Sequence, residues 1–70
     1  MRLRDLREDY DLTQNDLARL LNVRQNTYSQ YENGKRQIPI EALILLARFY
    51  NTSTDYLLGL TDEKMPYKRL

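Results

Sequence analysis

The 70-residue chain contains no cysteine and no histidine. That removes disulfides, thiolate chemistry, zinc ligation of the usual Cys/His kind and the commonest general base. Glycine and proline are scarce, two of each, and no segment alternates apolar and polar residues as a half-buried strand would. No apolar run approaches the ~18 residues of a membrane span, and the N-terminus lacks the apolar stretch of a signal peptide. A soluble, cytoplasmic protein without membrane contact is expected. There is no Gly-rich phosphate loop or nucleophile motif. The acids Asp5, Glu8, Asp9 and Asp11 interleave with Arg2, Arg4 and Arg7 at i,i+3 and i,i+4 spacing, a pattern of ion-paired surface. Neither catalysis, a cofactor, a metal nor a small-molecule ligand is therefore expected. Strong charge of one sign is missing too, since eleven Lys and Arg against ten Asp and Glu leave +1. A surface for a polyanion would have to be a local patch.

What is present is helical spacing throughout. A chain of this length forms one domain at most and buries only about 60% of its unfolded surface, so its function belongs on the outside. A first helix is expected from about Arg2 to Tyr10, with Leu3, Leu6 and Tyr10 on one face and Asp11 in the left-handed turn that stops it. Thr13 caps a second helix, and Asp16 completes a T-x-x-D capping box. Leu17, Ala18, Leu20 and Leu21 face inward there, and Asn22 terminates. A third helix runs from about Gln25 to Glu32 and stops at Asn33-Gly34. Lys35 to Ile38 is loop, with Pro39 near the first turn of a fourth helix, Ile40 to Tyr50, closed by Asn51. Ser53 caps a fifth, Asp55 to Leu58. The expected fold is all-α, a compact five-helix bundle over residues 1–60, followed at 61–70 by a tail that stays flexible unless it docks.

The stretch VRQNTYSQYENGK, Val23 to Lys35, stands apart. The link Leu21-Asn22-Val23-Arg24 is so short that the second and third helices must cross sharply, the geometry of a helix-turn-helix. Winding the third helix at 3.6 residues per turn puts Tyr28 and Tyr31 on one side, flanked by Thr27. Gln25, Asn26, Ser29, Gln30 and Asn33 fall within roughly a 140° arc on the other side, without a charge among them. An amide offers a donor beside an acceptor, which matches adenine N6/N7 bidentately in the major groove. Charged side chains would seek phosphates, which position a protein without reading sequence. The cations sit at the edges of this face: Arg24 before the helix, Lys35 and Arg36 after it. From Arg24 to Arg36 three cations meet one anion, residues 37–63 are net acidic, and Lys64, Lys68 and Arg69 make the end basic.

The segments LTQNDLARLLNV, TYSQYENGKR, PIEALILLARFYN and DYLLGL together resemble the lambda-repressor-like, or Xre-type, helix-turn-helix regulators, among them the phage repressors and Cro proteins. The resemblance covers residues 2 to 60. It implies a five-helix DNA-binding domain whose helices 2 and 3 form the helix-turn-helix, and a transcriptional regulator, most often a repressor, acting as a two-fold dimer on a pseudo-palindromic double-stranded operator. By position it implies base contacts from Gln25, Asn26 and Gln30, with a base contact from Ser29 and a phosphate contact from Thr27 at positions that meet either in some members. It implies phosphate contacts from Gln14, Asn33, Lys35 and Arg36, and the flanking cation Arg24 is expected to meet a phosphate as well. Tyr28 and Tyr31 match core positions, their hydroxyls within reach of a phosphate at the rim. Asn22 stands where the family often has Gly. Arg24 stands where Ser or Thr commonly caps the third helix, which weakens that cap by about 1 kcal/mol and frees Arg24 to clamp a phosphate. Leu45 replaces a usual charge on the outer side of the fourth helix. With Phe49 it would make an apolar patch for a dimer or partner contact. An antitoxin-like or adaptor module on the same fold is the alternative that this patch raises.

Overall fold

Each helix among the described residues stops in the same way. The computed structural model describes residues 1–66. Among them are α1 (Leu3–Asp9), α2 (Gln14–Leu21), α3 (Gln25–Glu32), α4 (Ile40–Phe49) and α5 (Thr54–Leu58), with no strand. Behind each helix lies a residue of positive φ: Asp11, Asn22, Gly34, Asn51 and Gly59. The following amide then bonds back five residues, Leu12 to the Arg7 carbonyl, Val23 to Ala18, Lys35 to Gln30, Thr52 to Ala47 and Leu60 to Asp55, all at 2.8–3.0 Å. This is the Schellman closure, which satisfies carbonyls that the last turn would leave bare and reverses the chain at once. Asp and Asn tolerate the left-handed region because their short side chains bond locally. Four of these stops were expected. Gly34 rather than Asn33 takes the left-handed position behind α3, and Gly59 adds the fifth.

The helix starts are less uniform. Both bonds of the Thr13–Asp16 capping box are present, at 3.1 and 2.8 Å, and Ser53 accepts from the Tyr56 amide at 3.0 Å. Pro39 is the N-cap of α4 and Arg24 that of α3, neither with a side-chain cap bond.

These short helices enclose one core. Leu3 and Leu6 meet Leu17 and Ala18 of α2, Tyr28 and Tyr31 of α3, Leu43, Leu46 and Ala47 of α4, then Tyr50 and Leu57. Two expected core residues lie further out. Tyr10 follows α1 instead of ending it. It sits half-exposed, its ring edge-on to Tyr50 at 5.0 Å and its hydroxyl donating to the Tyr50 carbonyl at 3.3 Å. Leu20 is also partly exposed, because it is about 100° around the helix from the stripe that Leu17, Ala18 and Leu21 form.

The arginines of α1 do not pair along their own helix as their spacing suggests. Arg2 donates to the Tyr56 and Thr61 carbonyls, both at 2.7 Å, bonds Asp62 at 2.8 Å, and lies over the Tyr56 ring at 4.2 Å. Arg4 and Arg7 turn to Glu32. A pair along a helix surface is worth only a few tenths of a kcal/mol, so bare carbonyls and an enclosed carboxylate win the guanidinium. The Arg2 contacts, together with Thr52 Oγ1 donating to the Lys64 carbonyl at 2.6 Å, hold the segment after α5 against the bundle. The last four positions of the expected tail, with Lys68 and Arg69, lie outside the described residues.

Candidate nucleic-acid interface

The outer face of α3 is aimed by what holds its inner face. Tyr28 and Tyr31 are buried, their rings edge-on at 6.4 Å, so the Tyr28 hydroxyl does not reach a rim phosphate as the sequence allowed. One turn on, the Glu32 side chain is fully enclosed. Arg7 grips it through Nε at 2.6 Å and Nη2 at 3.3 Å, Gln14 Nε2 donates at 3.1 Å, and Arg4 Nε stands 3.7 Å away. Burial alone would raise the Glu32 pKa, but the hydrogen bonds from Arg7 and Gln14 and the charge of Arg7 outweigh it and hold it below the ordinary value. Burial beside this carboxylate pushes the Tyr28 hydroxyl pKa upward, so that tyrosine stays neutral. One carboxylate thus ties α1 and the start of α2 to the end of α3, fixing the rotation of α3 about its axis. It also withdraws the single anion between Arg24 and Arg36 from the surface.

On the opposite side, Gln25 and Asn26 are exposed, and Thr27, Ser29 and Gln30 half-exposed. Two of the face's amides have charged partners. Arg36 Nε donates to Gln30 Oε1 at 3.0 Å, and Arg4 Nη2 to Asn33 Oδ1 at 2.9 Å. The Asn33 amide in turn points at Ser29 Oγ, 3.5 Å away. Gln14 spends one amide hydrogen on Glu32 and keeps the other at the first turn of α2. Arg24 is exposed and extended at φ −73° and ψ 151°. Because it makes no capping bond, the first amides of α3 have no side-chain acceptor. Lys35 is exposed beside Arg36. Contacts thus join Gln30 to Arg36, Ser29 to Asn33 and Gln14 to Glu32, while Arg24, Gln25, Asn26 and Lys35 are exposed along and beside α3.

Sequence reasoning missed Arg4 and Arg7, which fix and border this face. Their nearer acids offered local partners, and the true partner, Glu32, lies 25 residues from Arg7.

Leu45 and Phe49 lie together on the far side of α4, 41% and 45% exposed. Leu45 borders an open hollow of about 310 Å³ with Leu20, Leu21, Val23, Tyr31 and Ala42, while the Phe49 ring packs edge-on to Tyr50 at 5.1 Å. Ile40 and Ile44 leave a second apolar shoulder on the other flank of α4, a feature not anticipated. No helix among the described residues is long and apolar enough to cross a membrane.

A helix-turn-helix family model matches residues 3–57, from the start of α1 into the last turn of α5. This chain belongs to the Xre-type, lambda-repressor-like helix-turn-helix family. Its helix-turn-helix is α2 and α3, joined through the left-handed Asn22. The chain is similar to the uncharacterized HTH-type transcriptional regulator YobD of Bacillus subtilis, 42% identical over 93% of this chain and 58% of that protein. It is similar to the HTH-type transcriptional regulator ImmR of the same organism, 41% identical over 83% of this chain and 46% of that one. The cryptic phage CTXphi transcriptional repressor RstR of Vibrio cholerae is 41% identical over 70% of this chain and 44% of its own length. The chain thus spans about half the length of the curated relatives it matches. No solved structure gives a significant match.

Proposed function

We propose that the chain is a sequence-specific DNA-binding unit of a transcriptional regulator, most simply a repressor, acting in the cytoplasm. The observation that carries this is the composition of the exposed side of α3. Amides and a hydroxyl occupy its centre, cations its ends, and its one carboxylate is enclosed. In this reading Gln25, Asn26, Ser29 and Gln30 meet base edges in the major groove. Arg24, Thr27, Asn33, Lys35, Arg36 and the remaining amide hydrogen of Gln14 meet phosphates on either side. The open amides at the start of α3 add to the pull on a phosphate near Arg24. Two copies would read half-sites about 34–36 Å apart on a pseudo-palindrome, and Leu45 with Phe49 would contact the second copy.

Selection of bound duplexes from a random pool tests the proposal. A symmetric motif is expected. A protein that enriches no sequence would contradict it.

The exposed Leu45 and Phe49, with the hollow beside Leu45, favour one second reading: an antitoxin-like or adaptor module that binds protein through α4. Leu45→Ala separates the two. Loss of a protein partner with the selected motif and its affinity intact supports the second.

A further inference from the structure

The contact between Arg36 and Gln30 is more specific than a cation waiting for a phosphate. An Arg Nε–H only donates, so the Gln30 atom it meets at 3.0 Å is necessarily the amide oxygen. The backbone holds the two residues in this relation. Gly34, at φ +73°, reverses the chain, and the amides of Lys35 and Arg36 both bond to the Gln30 carbonyl, at 2.9 and 3.3 Å. Arg36 is thereby folded back over the end of α3 and toward the Gln30 side chain.

This has a consequence for base reading. Adenine is matched by an amide that offers its oxygen to N6–H and its nitrogen to N7. At Gln30 the oxygen is turned to a guanidinium, and the positive charge beside it opposes a second donor there. What remains for a base is the Gln30 Nε2 hydrogens and the terminal amino groups of Arg36, which are all donors. Guanine presents two acceptors, O6 and N7, on its major-groove edge, and no other base does so. Gln25 is different. It is exposed, has no side-chain partner among the described residues, and keeps both halves of its amide.

We propose that Arg36 and Gln30 form one reading unit whose outward groups are donors, and that this unit selects a guanine in each half-site. The inference rests on the proposal that α3 enters the major groove. Arg36 then determines sequence as well as meeting a phosphate.

The test is selection from a random duplex pool with the wild type, Arg36→Ala, Arg36→Lys and Gln30→Ala, followed by titration of duplexes differing at single positions. Circular dichroism melting first confirms that the variants fold, which their exposed positions favour. The wild type is expected to require guanine at one position per half-site, by roughly tenfold over adenine. Arg36→Ala frees the Gln30 oxygen, so at that position alone the preference moves toward adenine. Gln30→Ala blurs the same position. Arg36→Lys keeps the charge but lacks the planar Nε–H, so it loses guanine selectivity while its salt dependence stays near that of the wild type. An unchanged motif with uniformly weaker binding in Arg36→Ala would overturn the proposal, leaving Arg36 a phosphate anchor. So would a wild-type motif in which no guanine position responds to both residues. If the wild type enriched no motif, the DNA-reading proposal itself would fail, and this inference with it.

Discussion

Arg7 and Arg36 each place a guanidinium Nε on a side-chain oxygen of α3, at 2.6 Å from Glu32 Oε2 and 3.0 Å from Gln30 Oε1. The two contacts differ in what surrounds them. The Glu32 side chain is fully enclosed, and the Arg7 side chain is 14% exposed. Arg36 is exposed and Gln30 partly so. Enclosure makes the first contact an anchor, because neither charge has water to return to and loss of one strands the other. Exposure leaves the second worth little to stability, so it orders the solvent side of α3 and not the fold. The last turns of α3 thus carry an anchor on the bundle side, at Glu32, and a solvent-side contact at Gln30.

The largest expected effect breaks the anchor. Glu32→Ala leaves Arg7 without its carboxylate, and urea unfolding should show a loss of about 3 kcal/mol. A loss under 1 kcal/mol would mean that the enclosed pair does not hold α3.

The same group makes stability depend on pH. Its folded pKa lies below the ordinary 4.5, so its contribution is complete above that value and disappears as pH falls through the folded pKa. Melting temperature should therefore drop with acid below about pH 4.5 in the wild type. The drop should be shallower in Glu32→Gln, which has no proton to take up at this site.

Arg24→Ser comes next. A hydroxyl at this N-cap can accept from an open amide of α3, raising stability by about 1 kcal/mol. The lost cation should weaken binding to all duplexes alike, with the salt slope lower by about one. Sequence preference changing without the slope would move Arg24 to the bases.

The smallest effect belongs to the exposed contact. Arg36→Ala should change unfolding free energy by less than about 0.5 kcal/mol, and a larger loss would make the Gln30 contact structural.

The features legible in the sequence are those decided within a few residues. Thr13 and Asp16 stand three apart, so their capping box could be named. Asp11, Asn22 and Asn51 each follow an apolar-periodic stretch and can adopt positive φ, so the stops could be placed within a residue or two. The two sides of α3 follow from its 100° step alone. What stayed hidden depends on chain segments meeting. Arg7 had acids nearby in sequence, and only folding brings it to Glu32. Arg36 reads as a free cation until the left-handed Gly34 turns it back on Gln30. Tyr10 matched the apolar spacing of α1, but it lies just past the helix and leans on Tyr50 instead.

The central claim is that the outer face of α3 distinguishes sequences while its inner face only holds it in place. Gln25→Ala tests this most directly, through the ratio of affinities for the selected duplex and a scrambled one at fixed salt. The account predicts that the ratio falls by about tenfold or more, from a loss of 1–3 kcal/mol on the selected site, with an unchanged melting temperature. An unchanged ratio in a folded Gln25→Ala protein would contradict it.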